Sequence, residues 1–311
     1  MASIISSLST DQIAGLSTTT IAGLNTEDWA AFSTDQIAAL VTAQVAVMSS
    51  TAFSALSTTQ IAAFETADVA VFNTGALKTL STSQVAALTT DQIPALTTNQ
   101  VKVLTTNQIG ALSTDALNAL NTTQFATLSV AQVAALTTAQ IAALETADLV
   151  ALNTTAFKAL SSTQIGALTT DQVQALTTSQ VALLSSTQVA GLTTDQIAAL
   201  ETADVAALNT AALKALSTTQ IDALTTDQIP ALTTNQVKVL TTEQVAALST
   251  DDLNALNTTQ FATLSSAQVA ALTTAQIAAL ETADLVALNT TAFKALSSTQ
   301  IGALTTDQVQ A

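Results

Sequence analysis

Apolar residues recur every eight positions from one end of the chain to the other. When each residue is numbered by its place in an octad, position 8 is Leu at every multiple of eight from Leu8 to Leu304, except Phe32, Met48, Phe64 and Phe72. Position 5 is always Ile, Val, Leu, Phe or Trp, from Ile5 through Trp29 and Phe125 to Val309. Position 7 is mostly Ala, position 2 is mostly Thr and position 4 is usually Gln. No insertion breaks the register, so residues 1–311 read as one continuous octad-repeat array without linkers.

This period fits neither an unbroken helix nor an unbroken strand. Eight residues at about 100° each overshoot two helical turns by roughly 80°, so an apolar stripe would spiral around the axis. In a strand, positions 5 and 7 would share one face while Leu at position 8 turned to the other with Thr and Gln. The remaining solution is a short helix in each octad, ended and restarted. The expected fold is therefore all-α, a solenoid of short helices, with a β-solenoid as the alternative.

Start signals support the helical reading. In "LTTDQIAAL", Leu192 to Leu200, Thr193 is placed as N-cap with Gln196 three residues later, the spacing of a capping box. Leu192 and Ile197 then take the two positions of a hydrophobic staple. Of 22 acidic residues, 21 fall at positions 1, 3 or 4, Asp222 being the exception. All six lysines (Lys78, Lys102, Lys158, Lys214, Lys238 and Lys294) fall at position 6. Acid early and base late is the order that a helix dipole favours. Pro94 and Pro230, both at position 6, would break a long helix but threaten only one or two bonds in a short one.

One octad buries too little to fold alone, because two apolar side chains do not offset the ordering of eight residues. Octads must share their apolar corners along a coil and with the next coil, as repeat proteins do. Leu and the Ile-class residues are expected inside, Thr, Gln and the acids outside. Trp29 occupies a core slot.

Composition narrows the chemistry. The chain has no Cys, His, Tyr or Arg, and its net charge is −16. That charge disfavours nucleic acid, which needs a basic footprint, and anionic membrane surfaces. No 18-residue window is free of Thr, Ser or Gln, so no ordinary membrane-spanning helix is expected. The start, "MASIISSLSTDQ", lacks the basic and apolar regions of a secretory signal. The Ser, Thr, Asp, Glu and Lys side chains all sit in repeated contexts, and catalysis needs a unique cluster. No enzymatic activity, catalytic residue, cofactor or metal ligand is expected.

Two weaker readings rest on recurring groups. Octads beginning "ETAD" place Glu65 with Asp68, Glu145 with Asp148, Glu201 with Asp204 and Glu281 with Asp284. Each is followed by an octad that starts with Asn and carries Lys at position 6. Two carboxylates without a turn glycine fall short of a calcium site, and the plainer reading is a cap in which Asp replaces Gln. The Thr array suggests ice or mineral binding, although Thr also suits helix starts.

A longer repeat lies over the octads. Residues 65–80 return at 201–216, and 89–106 return at 225–242, both shifted by 136 residues, which is seventeen octads. Segmental duplication accounts for this.

Tracts of the form L-[ST]-T-x-Q-[IV]-x-A cover essentially the whole chain and resemble octad-repeat regions of long bacterial surface and secreted proteins, some exported without a leader. The resemblance implies an extracellular, spacer-like or matrix-forming role. The expected function is thus a structural rod or filament with copies associating head to tail. A solenoid binding scaffold or adhesin-type spacer is the alternative.

Overall fold

A computed structural model describes residues 3–311. These residues form 36 short α-helices and three 3₁₀ turns, and the described residues contain no strand. Helices begin at position 2, each preceded by an extended N-cap at position 1, as in Thr194–Ala199 after Thr193. The all-α solenoid with one helix per octad is the fold, and the β-solenoid is set aside.

The caps are built as the octad dictates. The Thr193 N–H donates to Gln196 Oε1 at 2.7 Å, and the Gln196 N–H donates to Thr193 Oγ1 at 3.2 Å. Helices end without a left-handed residue: no described residue has positive φ. Leu200, at φ −60° and ψ 137°, swings into extended backbone and leads directly into the next extended N-cap. Leucine thus turns the corner and fills the core at once. The two prolines lie in 3₁₀ turns, Ile93–Ala95 and Ile229–Ala231, where the α-helix of other octads is reduced to a single tight turn.

Contacts between helices fix the coil at three octads. Ser186–Val189 packs on Thr210–Ala215, and Ser50–Ala55 packs on Thr74–Thr79, starts that lie 24 residues apart. The chain divides into two compact units, Met1–Ala159 and Leu160–Ala311, and the same packing rule operates within each.

Position 5 and position 8 side chains form the core in both units. Trp29 is buried and stacks on Phe32, with ring centroids 4.9 Å apart. Phe53, Phe64 and Phe72 form a second aromatic cluster, with centroids 4.7 to 6.0 Å apart.

One expectation is overturned. Glutamine at position 4 is an interior residue: Gln44, Gln108, Gln196 and Gln276 are all buried. Asp68, Asp148, Asp204 and Asp284 at the same position are buried as well. The hydrophobic pattern hid this, because a glutamine amide is admitted to an interior when its polar groups find partners.

Candidate functional site

Each buried glutamine does two jobs. Its Oε1 accepts the N-cap N–H of its own helix, and its Nε2 reaches back to the preceding coil. Gln196 Nε2 donates to Ile165 O at 3.1 Å and to Leu168 O at 2.6 Å. Gln108 Nε2 donates to Leu77 O and Leu80 O, and Gln276 Nε2 to Val245 O and Leu248 O. The main acceptors are the position 5 and position 8 carbonyls, 31 and 28 residues earlier, joined in some octads by the position 6 carbonyl between them. A coil therefore has two unlike faces. Its position 4 amides grip the coil before it, and its position 5 side chains and carbonyls are covered by the coil after it.

Some octads reach the same acceptor by another route. At four octads with Ala at position 4, namely Ala76, Ala156, Ala212 and Ala292, the N-cap is Asn, whereas Ala52 and Ala116 follow a Ser cap. Asn73 Oδ1 caps the Ala76 N–H, and Asn73 Nδ2 donates to Met48 O at 2.8 Å, the carbonyl that a glutamine at position 76 would reach. Asn209 serves Leu184 O in the same way. A shorter amide one turn earlier replaces the longer one.

The "ETAD" octads lack this device. Glu65, Glu145, Glu201 and Glu281 are N-caps without a side-chain capping bond, while at position 68 Asp takes the acceptor role of Gln through the Glu65 N–H. An ionised carboxylate also has no proton to donate to a carbonyl. Asp68 Oδ2 and Asp204 Oδ2 are buried without a hydrogen-bond partner. Burial first, opposed by a hydrogen bond from Thr42 and reinforced by Glu65, pushes the Asp68 carboxyl above its usual range. Burial and the neighbouring Glu145 raise Asp148, against a hydrogen bond from Thr122. Burial raises Asp204, a hydrogen bond from Thr178 opposes it, and Glu201 adds to the rise. Burial and then Glu281 push Asp284 up to about 6. Carboxyls held this way favour a proton. Among the described residues, no group of three or more Asp, Glu, His or Cys side chains is placed to hold a metal.

Exposure of position 5 side chains differs along the chain. Phe293, Ile301 and Val309 hold position 5 and are 44, 43 and 68% exposed, whereas Val269 and Ile277 in the coil before are fully buried. With Leu285, Val286 and Leu288 they line an apolar groove of about 620 Å³. Among the earliest described octads the position 4 side chains are the exposed ones. Ile13 and Ile21 at position 5 are buried, while Gln12 and Thr20 at position 4 are exposed and Ile4 is 72% exposed. The sequence marked apolar positions but gave no sign of which face each would occupy.

Arrangement and chemistry together define a helical repeat solenoid, joined coil to coil by amide donors and a leucine-rich core. A family model described as the ALTTAQ repeat matches ten overlapping segments: 5–42, 30–64, 61–98, 94–122, 114–145, 141–178, 174–202, 197–234, 245–281 and 277–311. The chain belongs to the ALTTAQ repeat family. No curated protein matches it. None of the helices among the described residues is long and apolar enough to cross a membrane.

Proposed function

We propose that the chain is a structural, non-enzymatic element, an extracellular rod or filament in which copies add end to end. The observation that carries this reading is the coil-to-coil bond itself, in which position 4 amides of one coil grip position 5 and position 8 carbonyls of the coil before, a contact between two unlike faces that repeats in one direction. A contact between unlike faces is heterologous, and it grows without limit unless its rotation closes a ring. The net charge of −16 opposes lateral clumping while leaving such growth open.

The distribution of variant octads also favours a structural role over a binding scaffold. The "ETAD" octads at 65 and 145 lie ten octads apart within one unit, as do those at 201 and 281 in the other. With three octads per coil, each pair falls on different sides, so no single side gathers the variation. Sedimentation over a wide concentration range, with micrographs of the same samples, tests the assembly. A strict monomer throughout, with no fibres, overturns it. Surface labelling of intact cells tests the location, and a chain shielded from the label overturns the extracellular assignment.

A further inference from the structure

Among the asparagines that cap helices, some have an amide nitrogen at work and some do not. Asn121 Oδ1 accepts the Gln124 N–H at 3.0 Å, and the Asn121 backbone N–H donates to Gln124 Oε1 at 2.7 Å. The bond to the coil before belongs to Gln124, whose Nε2 donates to Ile93 O and Leu96 O. Asn121 Nδ2 is left without a hydrogen bond among the described residues, on an exposed side chain. Asn257 opens an identical octad, "NTTQFATL", and repeats the arrangement with Gln260, Ile229 and Leu232. Asn153 and Asn289 differ. Position 4 is Ala in their octads, so Asn153 Nδ2 donates to Ala126 O and Leu128 O, and Asn289 Nδ2 to Ala262 O and Leu264 O.

All four begin the triplet Asn-Thr-Thr, at 121–123, 153–155, 257–259 and 289–291, and no other asparagine of the chain is followed two residues on by Ser or Thr. Asn-x-Thr, with x other than Pro, is the acceptor triplet for sugar attachment to the asparagine amide. We infer that Asn121 and Asn257 are acceptors for N-linked sugar, and that Asn153 and Asn289 are blocked by the coil before them. The donor class is a sugar activated as a diphosphate ester at its anomeric carbon. Nδ2 bonds to that carbon, the carbon's bond to the phosphate oxygen breaks, and the diphosphate leaves with the electron pair. One Nδ2 proton passes to a base of the transferring enzyme. The product amide keeps its Oδ1, so Asn121 still caps Gln124. Space is available too: Asn121, Thr122 and Thr123 line an open depression of about 560 Å³ with Leu96, Thr97 and Thr98. At Asn153 the same nitrogen faces carbonyls of another coil, and a sugar there would have to part the two.

Peptide mapping by mass spectrometry of the full chain, isolated from its native cells, reads occupancy site by site. Sugar is expected on Asn121 and Asn257, with Asn153 and Asn289 bare. Folded chain treated with a soluble N-glycosyltransferase and UDP-glucose should be labelled in the same pattern, and denatured chain at all four sites. Thr123→Ala and Thr259→Ala alter exposed side chains and spare both caps. Together they should abolish the label at Asn121 and Asn257 and leave the melting temperature unchanged. Bare Asn121 and Asn257 in the native chain overturn the proposal. Equal labelling of all four sites in the folded chain overturns the block at Asn153 and Asn289.

Discussion

Gln196 Nε2 lies 2.6 Å from Leu168 O, a carbonyl 28 residues earlier in the chain. The same side chain accepts the Thr193 N–H through Oε1. One amide thus sets where a helix starts and where a coil sits. Gln196→Ala removes both, leaving a buried N–H and carbonyl without partners, and is expected to destabilise its surroundings by about 2–4 kcal/mol. Gln196→Glu restores the cap acceptor alone and should recover only a minor part. Hydrogen exchange at the amides of residues 193–200 checks both.

Leu200→Ala is expected to cost about 2–5 kcal/mol, because the leucine fills the core at the corner of its coil. Replacing its exposed neighbour Asp195 with Ala should cost a few tenths to about 1 kcal/mol through the helix dipole. Denaturant melts compare the two, and equal losses would show that the core has been misassigned.

Glycines at the same place in the duplicated segment sit in different surroundings. A Cβ on Gly166 would lie 2.5 Å from the backbone oxygen of Gly191, whereas one on Gly302 meets nothing within 4 Å. Gly166→Ala is expected to destabilise by about 1–3 kcal/mol through backbone displacement. Gly302→Ala, in the helix Ser298–Gly302, should be neutral or stabilising by up to about 1 kcal/mol. Thermal melts of the two variants side by side settle the matter.

Asp68, Asp148, Asp204 and Asp284 all have carboxyls raised by burial, Asp284 to about 6. A folded pKa above the unfolded value, about 3.9, means that the folded chain takes up its protons first as pH falls. Their contribution is fully present below the unfolded value and is lost as pH rises through about 6 for Asp284. Melting temperature is therefore expected to rise by a few degrees between neutral pH and mildly acidic conditions. Relief of general repulsion acts in the same direction, so Asp284→Asn isolates the local share. That variant should melt higher at neutral pH and respond less to acid.

Much of this architecture was legible in the residues. Thr193 and Gln196 announced the cap, Leu192 and Ile197 the apolar pair, and Pro94 the brevity of the helices. The interior place of Gln196 was not legible, since its spacing suits a capping box on any surface and the acceptors Ile165 and Leu168 lie in another coil. The pairing of Asn73 with Ala76 could be read as a repeat but not as a substitute for glutamine. That reading needs the three-octad coil, which brings Met48 beneath Asn73.

Within a unit, most sides of a coil hold the one beneath by an amide-to-carbonyl bond, from glutamine at position 4 or asparagine at position 1. Length is then adjustable in steps of eight residues instead of twenty-four. An octad gained or lost by unequal recombination turns the following sides by one place and leaves each bond type unchanged. A gene of this kind is expected to drift in length by whole octads without passing through a misfolded product.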